Sequence, residues 1–186
     1  KLPFDLRALG VDTVAMSAHK FGGPPGIGAL VTRSQFTLSP LLRGGGQENR
    51  RRAGTQNLPA IMGMAAAAKH LPQRLADQSR QAALRDHLES KIQIQAKDAV
   101  VYGAGAARLA NTSCIGMQDM VAETQIMALD MAGFAVSAGS ACSSGKMNVS
   151  HVLQAMGAGE KEARQAIRIS IGPETSADDI DWFIDA

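Results

Sequence analysis

The stretch Ser17-Ala18-His19-Lys20-Phe21-Gly22-Gly23 constrains the fold more than any other part of the chain. It lies between two short apolar runs, residues 13–16 and 27–31, which are bounded by Gly and Pro and predict strands. A hydroxyl, an imidazole and an amine therefore sit at a strand end, followed by the turn Gly22-Gly23-Pro24-Pro25-Gly26. A lysine held near its backbone by glycines can be read in two ways. It is either an exposed turn residue or a desolvated amine, whose pKa falls from the usual ~10.4 and which can form a Schiff base. These residues alone leave both readings open.

The 186 residues, 45% of them hydrophobic, suffice for one large domain or two small ones. A net charge of +2 gives no support for a nucleic-acid partner. No run of some 18 apolar residues occurs and the first residues lack an apolar leader core, so no membrane partner is expected. The chain opens on Lys1-Leu2-Pro3 without an initiating Met, as expected of a piece of something longer. Its two cysteines, Cys114 and Cys142, are too few for a disulfide framework. They predict free thiols in a reducing compartment, the cytoplasm. No His pair has ligand spacing, so no metal site is expected.

After the lysine unit comes Gly44-Gly45-Gly46, then Arg50-Arg51-Arg52-Ala53-Gly54-Thr55. This donor-rich cationic loop suits an anion such as phosphate, or is a solvated basic loop; it lacks the Gly-Lys-Ser/Thr ending of a P-loop. Asn57 caps a predicted helical stretch that Pro59 opens and that runs to about Gln95, broken or kinked at Pro72. A domain boundary is expected near its end, giving three parts: 1–56, the connecting helices 57–95, and 96–186. In the last part, strands at 100–102, 112–117, 134–136 and 166–171 alternate with helices at 122–131, 150–156, 160–164 and after Ser176. Cys142 lies in Ser137-Ala138-Gly139-Ser140-Ala141-Cys142-Ser143-Ser144-Gly145-Lys146, a loop whose small residues leave a thiol unburied and mobile. It is either a linker or a reactive site in which Lys146 and His151 favour the thiolate. In 166–171, alternation puts Ile167, Ile169 and Ile171 on one face and Arg168 and Ser170 on the other. Arg168 either faces solvent or grips a carboxylate.

Lysine, Gly/Arg/Thr loop, Ser/Gly-flanked cysteine and strand arginine occur together in this order. The chain thereby resembles the C-terminal half of a cysteine desulfurase of the NifS/IscS/SufS family, pyridoxal-phosphate enzymes of aminotransferase class V. The motifs Ser-Ala-His-Lys-Phe-Gly-Gly-Pro, Gly-Gly-Gly-Gln-Glu, Arg-x-Gly-Thr-x-Asn and Ser-Ala-Gly-Ser-Ala-Cys-Ser-Ser-Gly-Lys carry the resemblance from end to end. The extended cysteine loop looks like the NifS/IscS branch, and Pro25 stands where many relatives carry Lys.

The resemblance implies an α/β chain: the end of the large domain of a fold-type-I transferase, a long connecting helix and a small α/β domain. It implies that Lys20 bonds covalently to pyridoxal 5'-phosphate, that Ser17 and His19 bind its phosphate, and that Thr55 reaches the cofactor of the other subunit in a homodimer. Arg168 would hold the carboxylate of L-cysteine, and Cys142 would take the sulfur as a persulfide and pass it to an iron–sulfur scaffold or other acceptor protein. An N-terminal half would supply a ring-stacking His, an Asp for the pyridine nitrogen and further phosphate ligands, so the isolated chain is expected to be inactive. The alternatives are a selenocysteine lyase or other class V lyase, and a non-catalytic dimerisation or acceptor-binding fragment.

Overall fold

The computed structural model describes residues 2–138 and 149–186 and divides into two compact units, Leu2–Ala76 and Asp77–Ala186. In the first unit, β1 (Thr13–Ser17) and β2 (Gly28–Thr32) form an antiparallel ribbon with Thr13 opposite Thr32 and Ser17 opposite Gly28. One turn of 3-10 helix, Ala18–Phe21, joins the end of β1 to the glycine turn. Helix α1 (Leu58–Lys69) starts where its sequence signals it: the Asn57 side chain accepts from the Ala60 N–H at 3.3 Å and Pro59 occupies the first turn. It ends at His70, and α2 (Leu71–Ala76) follows. Pro72 lies in the first turn of α2, where its missing N–H leaves no helical hydrogen bond unmade.

The second unit begins with α3 (Gln78–Gln95), not after it. The division into two compact units falls between 76 and 77. The cause is packing: Leu84 and Leu88, one helical turn apart, are buried in the core of the second unit. That core rests on a four-stranded sheet of β3 (Val100–Val101), β4 (Thr112–Gly116), β5 (Ser137–Ala138) and β6 (Ala166–Ser170). The order is β3-β4-β6-β5 and every pairing is antiparallel. Ile115, Ile167, Ile169 and Ile171 meet Leu84, Leu88, Ala122 and Ile180 there. Ala122 belongs to α4 (Ala122–Met131) and Ile180 to α7 (Ala177–Asp185), which Ser176 caps as its sequence predicts. A smaller cluster contains Leu153 of α5 (His151–Ala155), Ala163 of α6 (Glu160–Arg164) and Ala166, with Tyr102 and Cys114 packed against it.

The strand expected at 134–136 forms instead at Ser137–Ala138. Gly133, with φ of 91°, reverses the chain after α4. Phe134 then packs edge-on against Trp182 and Phe183, at ring-centre separations of 4.9 and 5.2 Å. Backbone pairing begins only beyond that anchor.

Among the described residues one carboxylate is buried. Glu89, buried on α3, accepts two hydrogen bonds from Arg108, both 2.6 Å, and one from the Ser113 hydroxyl at 2.7 Å. Burial alone raises the pKa of such a carboxyl, but the bonds from Arg108 and Ser113 and the charges of Arg108 and Arg85 outweigh it and hold it below the usual 4.5. A carboxyl lowered by folding contributes stability that is full above its unfolded pKa and is lost as pH falls through its folded value. Glu89→Gln should therefore flatten the acid-side loss of stability below about pH 4.5, followed through Trp182 fluorescence in urea titrations. Leu88→Ala should lower stability by about 2–5 kcal/mol at all pH values. A loss below about 1 kcal/mol would show that α3 does not belong to this core.

Candidate active site

Three glycines shape the backbone around Lys20. Gly22 has φ of 89°, and its position leaves space for the Arg74 side chain, which donates to the Phe21 carbonyl at 2.6 Å. A Cβ on Gly23 would lie 2.8 Å from that of Ala18, and a Cβ on Gly28 would collide with the Met16 carbonyl oxygen. Ala18 is fully buried; its N–H donates to the Ile27 carbonyl at 3.0 Å and its carbonyl accepts from the Gly23 N–H at 2.9 Å. These contacts turn Ser17, His19 and Lys20 outward. All three are exposed, and their side chains make no hydrogen bond or ion pair among the described residues. The first unit thus does not itself supply the desolvation of Lys20 that one reading of its sequence requires.

The loop leading to Thr55 has a feature its sequence did not signal. Glu48, Asn49 and Arg50 have φ of 49°, 53° and 63°, three consecutive non-glycine residues in the left-handed region. That region is disfavoured by Cβ contacts, at about 1–3 kcal/mol per residue. Arg50, Arg51 and Arg52 are exposed, and none pairs with a carboxylate among the described residues. Arg52 donates to the Gly54 carbonyl at 3.3 Å, and Thr55 is exposed. The loop carries an exposed hydroxyl and three exposed guanidinium groups unpaired with carboxylates among the described residues, which suits an anion.

In the second unit, Arg168 occupies the middle of β6, opposite Cys114 on β4 and Ser137 on β5. Residues directly opposite on antiparallel strands point to the same face, so thiol, guanidinium and hydroxyl form one row across three strands. Arg168 is half-buried, yet it has no ion pair and its side chain no hydrogen bond among the described residues. Burial pushes the Cys114 thiol above its usual range, with the Arg168 charge acting the other way. Cys114 was legible only as an apolar-strand residue; the strict alternation of Ser113, Cys114 and Ile115 is the signal that gives its face. Cys142 and Lys146 lie outside the described residues. Ala138, the last residue of β5, leads directly into that segment. His151 is exposed at the start of α5. Among the described residues no group of His, Cys, Asp and Glu could hold a metal ion.

Comparison with known proteins gives this arrangement its class. The aminotransferase class-V family matches residues 1–183, and the chain belongs to that family. It is 44% identical over 178 residues to the cysteine desulfurase of Rhodobacter capsulatus and 42% identical over 188 residues to that of Cereibacter sphaeroides. These matches cover 95% and 100% of this chain but 46% and 47% of the relatives, so the chain spans about half their length. The crystallographic NifS-like protein of Rickettsia africae superposes with a TM-score of 0.84 at 34% identity, over 99% of this chain and 48% of that one. The fold is that of the NifS-like proteins.

Gly28→Ala should disorder the lysine turn, because the colliding atom is backbone and cannot swing aside. Amide hydrogen exchange across β1 and β2 should quicken by about tenfold or more, while β4 and β6 stay protected. Unchanged protection in β1 and β2 would contradict this account of the turn.

Proposed function

We propose that this chain carries the lysine, sulfur-accepting thiol and carboxylate-binding arginine of a pyridoxal-phosphate-dependent cysteine desulfurase. The observation that carries the reading is Arg168, a half-buried guanidinium without a counter-ion among the described residues, fixed on a central strand beside β5. A permanently charged planar donor left unpaired in such a place is suited to a carboxylate ligand, here that of L-cysteine. Sequence similarity to named desulfurases along the whole chain supports the sulfur chemistry.

The residues at the end of β1 fit the cofactor. An amine, an imidazole and a hydroxyl are turned outward within four residues, all three free for a group bearing an aldehyde and a phosphate. Lys20 would hold the coenzyme covalently and move a proton at the substrate Cα; Ser17 and His19 would bind its phosphate. When bound, pyridoxal phosphate supplies an electron sink next to the substrate Cα. The Cys142 thiolate would attack the substrate sulfur. The new S–S bond takes the place of the substrate C–S bond, and the carbon skeleton leaves as L-alanine after gaining a proton. The sulfur stays on Cys142 as a persulfide for an iron–sulfur scaffold or another acceptor protein. Thr55 would contact the phosphate held by the other subunit of a homodimer. Two cysteines are too few for a disulfide framework, which suits a reducing compartment, and we propose the cytoplasm.

A second reading concerns the chain by itself. In the first unit the buried apolar residues are Ala18 and Ala67, while Phe4, Leu9, Leu30, Leu41, Leu58 and Met62 are exposed. We propose that this surface is covered by further polypeptide in the active enzyme and that the chain alone binds pyridoxal phosphate weakly and does not turn over.

Borohydride reduction of the complete enzyme should fix the coenzyme to the peptide containing Lys20, and Lys20→Ala should abolish that label. A label of equal yield on the isolated chain would contradict the second reading. Arg168→Met should raise KM for L-cysteine by about 10–100-fold, as expected for loss of a charged hydrogen bond. Cys142→Ala should abolish sulfide production from cysteine; retained selenide release from selenocysteine would favour the lyase alternative.

A further inference from the structure

A cavity of about 420 Å³ lies wholly within the second unit, beside the smaller apolar cluster. Its walls come from edge strand β3, the residues leaving β4, and the turn between α5 and α6. Met117 and Met156 give it apolar, adaptable sides. Its polar lining includes two carboxylates, Asp98 and Glu162, and the amides of Gln118 and Gln165. Asp98 is exposed and unpaired among the described residues. Glu162 uses one carboxylate oxygen, Oε2, to accept from the Gly159 N–H at 2.7 Å, and Oε1 makes no hydrogen bond. Lys161, the one cation of the lining among the described residues, is engaged at 2.8 Å by Asp119. Two carboxylates are thus left without an opposing charge.

Two neutral groups sharpen the picture. Gln165 is only 6% exposed, yet its side-chain amide has no hydrogen-bond partner among the described residues. The residue is buried, but its amide is not sealed off from water: it lines the cavity and is left for a ligand there. The Tyr102 phenol is also without a hydrogen bond among the described residues; burial raises its pKa first, and the nearby Glu162 charge raises it further. The negative charge of Glu162 is therefore felt inside the cavity.

We propose that this cavity binds the head group of a small organic cation, an alkylammonium or guanidinium. Glu162, Asp98 and Gln165 are its acceptors, and Met117 and Met156 lie along its carbon chain. The site is separate from Arg168, whose charge calls for the opposite ligand, and it does not depend on the desulfurase reading. The same chemistry is offered by a free amine or by a Lys or Arg side chain of another protein.

Tyr102 is the only tyrosine of the chain and reports directly from the cavity. Its ring NMR signals should shift saturably when the full chain is titrated with n-butylguanidinium or n-butylammonium, and not with the neutral isostere n-butylurea. Glu162→Gln keeps an acceptor for the Gly159 N–H and removes the charge, so the fold should persist while affinity falls by about tenfold. Lys161→Met removes the competing cation and frees Asp119, and should tighten binding. N-acetyl-arginine-N-methylamide separates the sources. Affinity equal to that of n-butylguanidinium assigns the site to a free cation, and a gain from the flanking amides assigns it to a side chain presented along the β3 edge. Absence of saturable binding, binding of n-butylurea at equal strength, or unchanged affinity in Glu162→Gln would overturn the proposal.

Discussion

The register between β4 and β6 decides which residues of the second unit are available for chemistry. Ile115 opposite Ile167 and Ser113 opposite Ile169 face the core, so Cys114 and Arg168 must face away from it. A slip of one residue would drive the guanidinium among Leu84, Leu88 and the isoleucines without a partner, at a cost of several kcal/mol. Apolar burial thus aims the arginine. The polar exception on the core face supports the same register: the Ser113 hydroxyl is tolerated because Glu89 accepts from it, and Glu89 in turn is held by both Arg108 nitrogens. That network also ties the segment between β3 and β4 to α3.

The first unit reaches its geometry differently. Around Lys20 close backbone approach excludes side chains, so glycine is required at the points where β2 meets β1 and where the turn folds back on Ala18. In the loop before Thr55 the opposite holds, since three residues with side chains occupy a region that favours glycine. Such backbone persists where surrounding structure over-determines it, and it concentrates at functional sites. The first unit buries little apolar surface with which to impose it. The proposal that further polypeptide covers this unit therefore accounts for both the exposed leucines and the left-handed run.

Local rules made much of this readable from residues alone. Caps at Asn57 and Ser176, the 3.6-residue spacing of Leu84 and Leu88, and the two-residue alternation of Ile167, Ile169 and Ile171 are short-range signals, and the elements appear where those signals put them. What was not readable is tertiary. Periodicity could not show that α3 packs with the later sheet, because an apolar stripe does not name the surface it meets. Nor could it show that Phe134 is taken up by Trp182 and Phe183, which delays strand pairing to Ser137. The exposure of Lys20 likewise depends on what surrounds the turn, not on the turn itself. For Cys142 the sequence remains the whole basis, since it lies outside the described residues.

The central proposal is that the two cysteines of this chain have different fates, one collecting sulfur and the other packed beside the carboxylate-binding arginine. Peptide mass spectrometry of the complete enzyme, quenched with an alkylating agent during exposure to L-cysteine, tests it directly. The account predicts one additional sulfur atom on the peptide containing Cys142, removable by a reducing agent, and none on the peptide containing Cys114. Sulfur on Cys114, or alanine formed in equal amount with Cys142 unmodified throughout, would contradict it.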